Sequence, residues 1–148
     1  MRSPISRPSN CACTCAGATT KARITATLAL ADIIDIVFTA KPCAISLEAA
    51  NPRHAHEWTL FETLKLPDGK VLIPGVIESK SNFIEHPELI AQRIGRYAER
   101  VGRENVIAGS DCGFGTWVGQ AAVDPDVVYA KFKAMAEGAA LASKQFWK

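Results

Sequence analysis

The first 28 residues contain no acid. All 15 Asp and Glu of the 148-residue chain lie beyond them, whereas Arg2, Arg7, Lys21 and Arg23 lie within. The segment also lacks a helix or strand period, being filled with Ser, Thr, Ala and Cys, and it holds Cys11, Cys13 and Cys15, three of the five cysteines. Long apolar runs are missing throughout. Nothing approaches the ~20 apolar residues of a membrane helix, and the continuous core of a secretory signal is absent too. The lack of such a signal and the odd cysteine count argue against a disulfide framework. Clustered basic residues are lacking as well: the net charge is +2 and the Lys and Arg are scattered, which argues against nucleic acid as a partner. A soluble, cytoplasmic protein with no membrane partner is expected.

What is present is an α/β pattern in a chain that is 48% hydrophobic, enough for one packed domain. Leu30, Ile33, Ile34, Val37 and Phe38 fall at helical spacing, with Asp32 and Asp35 opposite, and Lys41-Pro42 ends that helix. Cys43 to Leu47 is a near-continuous apolar run, as in a parallel strand covered on both faces. Ala55 to Leu64 reads as a short helix. Val71 to Ile73 reads as the next strand, broken by Pro74-Gly75. His86-Pro87-Glu88 opens a long helix, with proline at its first position and acid in its first turn, and Gly102 ends it. Asn105 to Ala108 is the last strand, and Asp124-Pro125-Asp126 begins a closing helix. Strands alternating with helices imply a parallel sheet. The chain falls short of the ~250 residues of a complete eight-stranded barrel. The fold class is therefore α/β with a parallel sheet, with residues 1–28 set apart from 29–148.

Two strand ends carry chemistry. Glu48 follows the Cys43–Leu47 strand, and Cys112 sits in the glycine-rich turn Gly109-Ser-Asp-Cys-Gly-Phe-Gly115 after Asn105–Ala108. Active sites of α/β barrels gather at the C-terminal ends of strands, and zinc takes Cys, His and carboxylate ligands. Glu48 and Cys112 are thus candidate metal ligands, half of a zinc site. Each has a plainer reading: an ion pair with Arg53 or another basic neighbour for Glu48, an inert buried thiol for Cys112. Asp111 can order its turn by accepting backbone amides or contact a substrate amine. His54 and His56 are candidate substrate contacts or supports for a metal ligand, or merely solvated loop histidines. Cys43 reads as a small buried residue.

Glu48-Ala-Ala-Asn-Pro-Arg-His-Ala-His-Glu-Trp58, Leu72-Ile-Pro-Gly-Val76, Glu85-His-Pro-Glu-Leu89 and Asn105-Val-Ile-Ala-Gly-Ser-Asp-Cys-Gly-Phe-Gly115 together resemble the catalytic barrel of cobalamin-independent methionine synthases, nearest to the bacterial proteins that carry this domain alone. The resemblance covers the chain from about Leu30 onward, and it implies a C-terminal fragment, about half, of a TIM-type (β/α)8 barrel. It implies a zinc-dependent transfer of a methyl group from methyl-tetrahydrofolate polyglutamate to homocysteine, giving methionine. The close variant is alkyl transfer to another thiol such as coenzyme M, and the non-catalytic alternative is an inactive remnant. In that family zinc is held by a His-x-Cys pair, a glutamate and a final cysteine in Asp-Cys-Gly. Cys112 and Glu48 match the last two. No His-x-Cys pair exists in this sequence, so weak or absent zinc binding is expected. Phe114, Trp117 and Trp58 are candidates for stacking on a pterin ring, with core packing as the plainer fate.

Residues 1–28 admit three readings: a disordered tail, an Arg- and Ser-rich presequence, or an out-of-phase translation. Permitted codons for Cys11 to Lys21, read from the third base of the Ala12 codon, give Met-His-Leu-Cys-Trp-Gly-Asn-Tyr-Glu, which resembles the family's missing His-x-Cys strand. Metal ligation by Cys11, Cys13 and Cys15 themselves is the less favoured alternative, since their spacing is tighter than that of structural zinc sites. A half-barrel also leaves sheet edges open, so self-association is expected.

Overall fold

The computed structural model describes residues 12–15, 28–117, 120–121 and 123–148. Apart from Ala12–Cys15 and Leu28, the readings for residues 1–28 fall outside these. Strands β1 (Ala12–Cys15), β2 (Ala44–Leu47), β3 (Val71–Ile77) and β4 (Gly109–Ser110) form one sheet in sequence order, every pair parallel. Helix α1 (Leu30–Phe38) lies between β1 and β2, a 3-10 segment (Glu57–Glu62) between β2 and β3, and α2 (Pro87–Val101) between β3 and β4. Helix α3 (Pro125–Phe146) closes the chain, after a small hairpin of β5 (Gly115–Trp117) and β6 (Gln120–Ala121). Parallel strands in sequence order with intervening crossovers are how a β/α barrel winds. Among the described residues four strands form an open sheet.

Side chains alternate across the strands. Ile45 and Leu47 of β2 and Leu72 of β3 point to one face, where Leu30, Ile34 and Val37 of α1, Phe61 and Tyr97 bury them. Each such aliphatic side chain contributes about 1.5–3 kcal/mol on burial. Ala44, Ser46, Val71 and Ile73, on alternate positions, are only half-buried. A second cluster, Val76, Ile77, Ile90 and Ala134, joins the end of β3 to α2 and α3.

The helix signals act as read. His86 Nδ1 accepts from the Glu88 amide (3.2 Å) and Asp124 Oδ1 from the Asp126 amide (2.8 Å), each followed by proline at the first helical position. Gly102 ends α2 with a φ of 90°, a region closed to most other residues.

Three boundaries differ from expectation. The strand expected to stop at Ile73 runs on through Pro74 and Gly75 to Ile77. Gly75 stays in it because the Asp111 side chain crosses directly over its Cα: a Cβ there would lie 1.9 Å from Asp111 Oδ1. The expected helix over Ala55–Leu64 is a 3-10 turn instead, because Trp58, Phe61 and Leu64 recur every third residue and so share a face at that tighter pitch; Phe61 is buried and the other two pack against its cluster. The last strand starts late: Arg103–Asn105 is a 3-10 turn and Val106 makes only an isolated bridge to Leu72 before β4 begins at Gly109.

Candidate functional site

The C-terminal ends of β2, β3 and β4 converge, and Asp111 joins them. Its amide donates to the carbonyl of Ile77 at the end of β3 (3.1 Å). Its carboxylate reaches the loop after β2, where Oδ1 accepts from the amides of Ala49 (2.8 Å) and Ala50 (2.9 Å) and Oδ2 from Asn51 (2.7 Å). All of this is buried, Asp111 being only 3% exposed. Burial pushes the Asp111 carboxyl up from its ordinary range, and the three amides oppose that shift. The Asp111 carboxylate is thus a staple between two strand ends, its oxygens occupied by backbone.

On either side of the staple lie the two candidate ligands. The Cys112 thiol donates to Glu48 Oε1 at 2.9 Å. The other oxygen, Oε2, is buried with no hydrogen-bond partner, and the Glu48 side chain is 2% exposed. Burial raises the Glu48 pKa, the Cys112 hydrogen bond opposes it, and the nearby charges of Asp111 and Glu78 add to the rise.

His54 faces the free oxygen, with Nε2 3.9 Å from Glu48 Oε2, too long for a hydrogen bond. Its Nδ1 lies 2.9 Å from Glu57 Oε2, and Glu57 Oε1 accepts from the Leu30 amide at 2.9 Å. A carboxylate can only accept, so Nδ1 carries a hydrogen and Nε2 is the ring nitrogen turned toward Glu48. His56, by contrast, is exposed at the start of the 3-10 turn. Arg93, reaching up from α2, donates to the carbonyls of Val76 (2.8 Å) and Ala50 (3.5 Å), bracing the same two strand ends.

The aromatic candidates are engaged elsewhere. Trp58 packs against the first core cluster, with the guanidinium of Arg100 over its ring at 4.2 Å. Phe114 meets Phe132 edge-on at 5.4 Å. The Trp117 side chain lies outside the described residues. Cys43 is half-buried and, like Cys112, is not in a disulfide. Cys13 and Cys15 occupy β1, in register with Ile45 and Leu47, so Cys15 is level with the residue that precedes Glu48.

Three residues at this end went unread in the sequence. Glu78 is the first residue past β3; its amide donates to Glu85 Oε1 (2.7 Å), and Glu85 Oε2 pairs with the fully buried Lys131 Nζ (2.8 Å). The strand-end rule that found Glu48 finds Glu78 once β3 is carried past Pro74-Gly75.

Among the described residues no group of three or more His, Cys, Asp or Glu is placed to hold a metal ion, and no helix is long and apolar enough to cross a membrane. No protein-family model and no curated protein matches the chain. Among solved structures, a B12-independent methionine synthase from Shewanella sp. W3-18-1, in complex with selenomethionine, is similar with a TM-score of 0.64 at 22% identity. The match covers 78% of this chain and 30% of that one. At this identity the likeness establishes the fold, and the chain spans under a third of its neighbour's length.

Proposed function

We propose that this chain carries part of the active site of a zinc-dependent methyltransferase that moves a methyl group from a methyl-folate to homocysteine. The observation that carries the reading is the buried Glu48 Oε2, without a hydrogen-bond partner, beside the Cys112 thiol at the ends of parallel strands. A carboxylate oxygen removed from water without a partner costs free energy, which a proton or a bound cation relieves.

This donor set does not fully serve zinc. A catalytic site needs about three protein ligands and one exchangeable position; Glu48 and Cys112 supply two, and His54 Nε2, 3.9 Å from Glu48, belongs to no metal-holding group. No reaction step is therefore assigned to the metal. What the chain's own residues do is hold the half-buried Cys112 thiol against the buried Glu48 carboxylate, with Asp111 and Arg93 fixing the strand ends that carry them.

The missing ligand favours a second reading, an inactive remnant that keeps the fold and half the site. Titration of the full chain with zinc against a chromophoric chelator separates the two. On the enzyme reading zinc binds measurably, and Cys112→Ser and Glu48→Gln each weaken it by roughly tenfold or more. Zinc binding by wild type no tighter than by Cys112→Ser sinks the enzyme reading and leaves the remnant.

A further inference from the structure

Strands β1 to β4 run parallel in sequence order, and among the described residues β1 pairs only with β2 and β4 only with β3. Among those residues, then, both edges of the sheet are open. The β4 edge offers backbone to a further strand. The Ile107 amide bonds the Leu72 carbonyl at 2.9 Å, so the amide of Val106, which bridges Leu72 in parallel, points the other way, out from the sheet.

The two faces are as unequal as the edges are bare. Helices α1 and α2 bury Ile45, Leu47 and Leu72 on one face. Val106 and Ala108 of β4 belong to that face, where they line an apolar cleft with Ile94 and Ala98 of α2 and Ala139 and Ala142 of α3. Side chains alternate along a strand, so Ile107 between them turns to the opposite face, and it is 53% exposed. With it lie Ala44, Ser46, Val71 and Ile73, which are only half-buried. All-parallel sheets are normally covered on both faces. A barrel achieves this by curling: eight strands close, and the inner face fills with side chains dominated by Val, Ile and Leu. Val71, Ile73 and Ile107 are of that type.

Four strands need four more, and a second copy of this chain has them with matching edges. A two-fold axis along the barrel preserves strand direction, so β4 of one copy meets β1 of the other in parallel, at two identical seams, and no edge is left over. The flanking helices fit the same arrangement. In it α3 of one copy lies beside α1 of the other, and both show apolar side chains to solvent, Tyr129 and Phe132 on α3 and Ile36 on α1.

We propose that two copies of this chain close one eight-stranded parallel barrel, joined by two β4–β1 seams, with their open sheet faces as its shared interior. This is independent of the chemistry read above and bears on it in one respect: the Glu48–Cys112 pairs of both copies stand at the same end of the barrel.

The test is sedimentation equilibrium of the full chain across micromolar concentrations, with hydrogen exchange of the Val106 amide followed in the same samples. A discrete dimer is expected, with the Val106 amide protected because the seam gives it an acceptor. Ile107→Lys puts one unpaired charge per copy into the shared interior and should weaken the dimer by roughly a hundredfold or more. In a single copy that side chain faces solvent, so the variant should keep the wild-type circular dichroism while its Val106 amide exchanges faster. Phe83→Lys, in the exposed loop between β3 and α2 and outside both seams, should leave dimer and protection unchanged. A wild-type monomer overturns the proposal and leaves the open edges to strands of a different chain. An open-ended series of oligomers overturns it too, as does a dimer whose Val106 amide exchanges freely or which Ile107→Lys leaves intact.

Discussion

Gly75→Ala is the most direct probe of how the strand ends are held. An added Cβ would sit 1.9 Å from Asp111 Oδ1 and 2.8 Å from the Asp111 Cα and amide nitrogen. The carboxylate can swing aside, but only by giving up at least one of its bonds from the amides of Ala49 and Ala50. The backbone contact cannot swing, so β3 and β4 must part by about 0.6 Å to reach ordinary contact. Overpacking of this kind costs ~1–3 kcal/mol, and each lost hydrogen bond to a charged acceptor ~1.5–3 kcal/mol. With one such bond lost the expected cost is ~3–5 kcal/mol, or a fall in Tm of roughly 10 °C for a chain of this size. Urea and thermal unfolding measure it. The cause is isolated by repeating the substitution on Asp111→Ala, where only the backbone contact remains and the cost should shrink by ~1–2 kcal/mol, because neighbouring changes do not add. A cost below about 1 kcal/mol, or equal costs in the two backgrounds, would refute the crossing of Asp111 over Gly75.

Two further substitutions test the buried charges. Lys131→Met leaves Glu85 buried without its partner (the two side chains are 0% and 9% exposed) and should destabilise by ~3–5 kcal/mol; adding Glu85→Gln should recover part of that, and strict additivity in urea titrations would show the pair is not coupled. In the metal-free protein, Glu48→Gln removes a carboxyl whose folded pKa is raised, chiefly by burial. A raised carboxyl pKa means the folded state binds the proton more tightly, so wild type loses stability as pH climbs from the ordinary value of 4.5 through the raised one. Glu48→Gln should lose less over that window and be the more stable protein at neutral pH; identical pH profiles would show that Glu48 pays no burial penalty.

Much of the fold and half of the site can be read from local pattern, and the rest depends on contacts between distant residues. Glu48 and Cys112 announce themselves because each follows an apolar run, and His86-Pro87 and Asp124-Pro125 because capping is a local matter of a few residues. Pro74-Gly75 misleads for the opposite reason: in isolation it is a breaker, and only the arrival of Asp111 from far along the chain makes a glycine necessary inside β3. Lys131 is hidden in the same way. A lysine on a helix is assigned to solvent by default, and its burial follows from Glu85, 46 residues earlier.

Whether the Asp111 staple or the cost of burying its charge dominates decides how the site is built, and Asp111→Asn separates the two. Burial raises the Asp111 pKa, so if the penalty dominated, a neutral residue of the same shape would stabilise the protein. The geometry argues otherwise. With its oxygen toward Ala49 and Ala50, the new amide group would oppose the Asn51 N–H, now 2.7 Å from Oδ2; flipped, it would oppose two N–H groups instead. Either orientation leaves donor facing donor in a buried site, at ~1–3 kcal/mol for each unsatisfied group. We therefore expect Asp111→Asn to destabilise by ~2–4 kcal/mol, the larger effect winning over the relief of charge. It should also loosen the turn that aims Cys112 at Glu48, raising the rate at which Cys112 reacts with a thiol reagent while Cys43 reacts as before. A variant as stable as wild type, with unchanged Cys112 labelling, would mean that Asp111 is tolerated in the strand-end turn and does not hold it together.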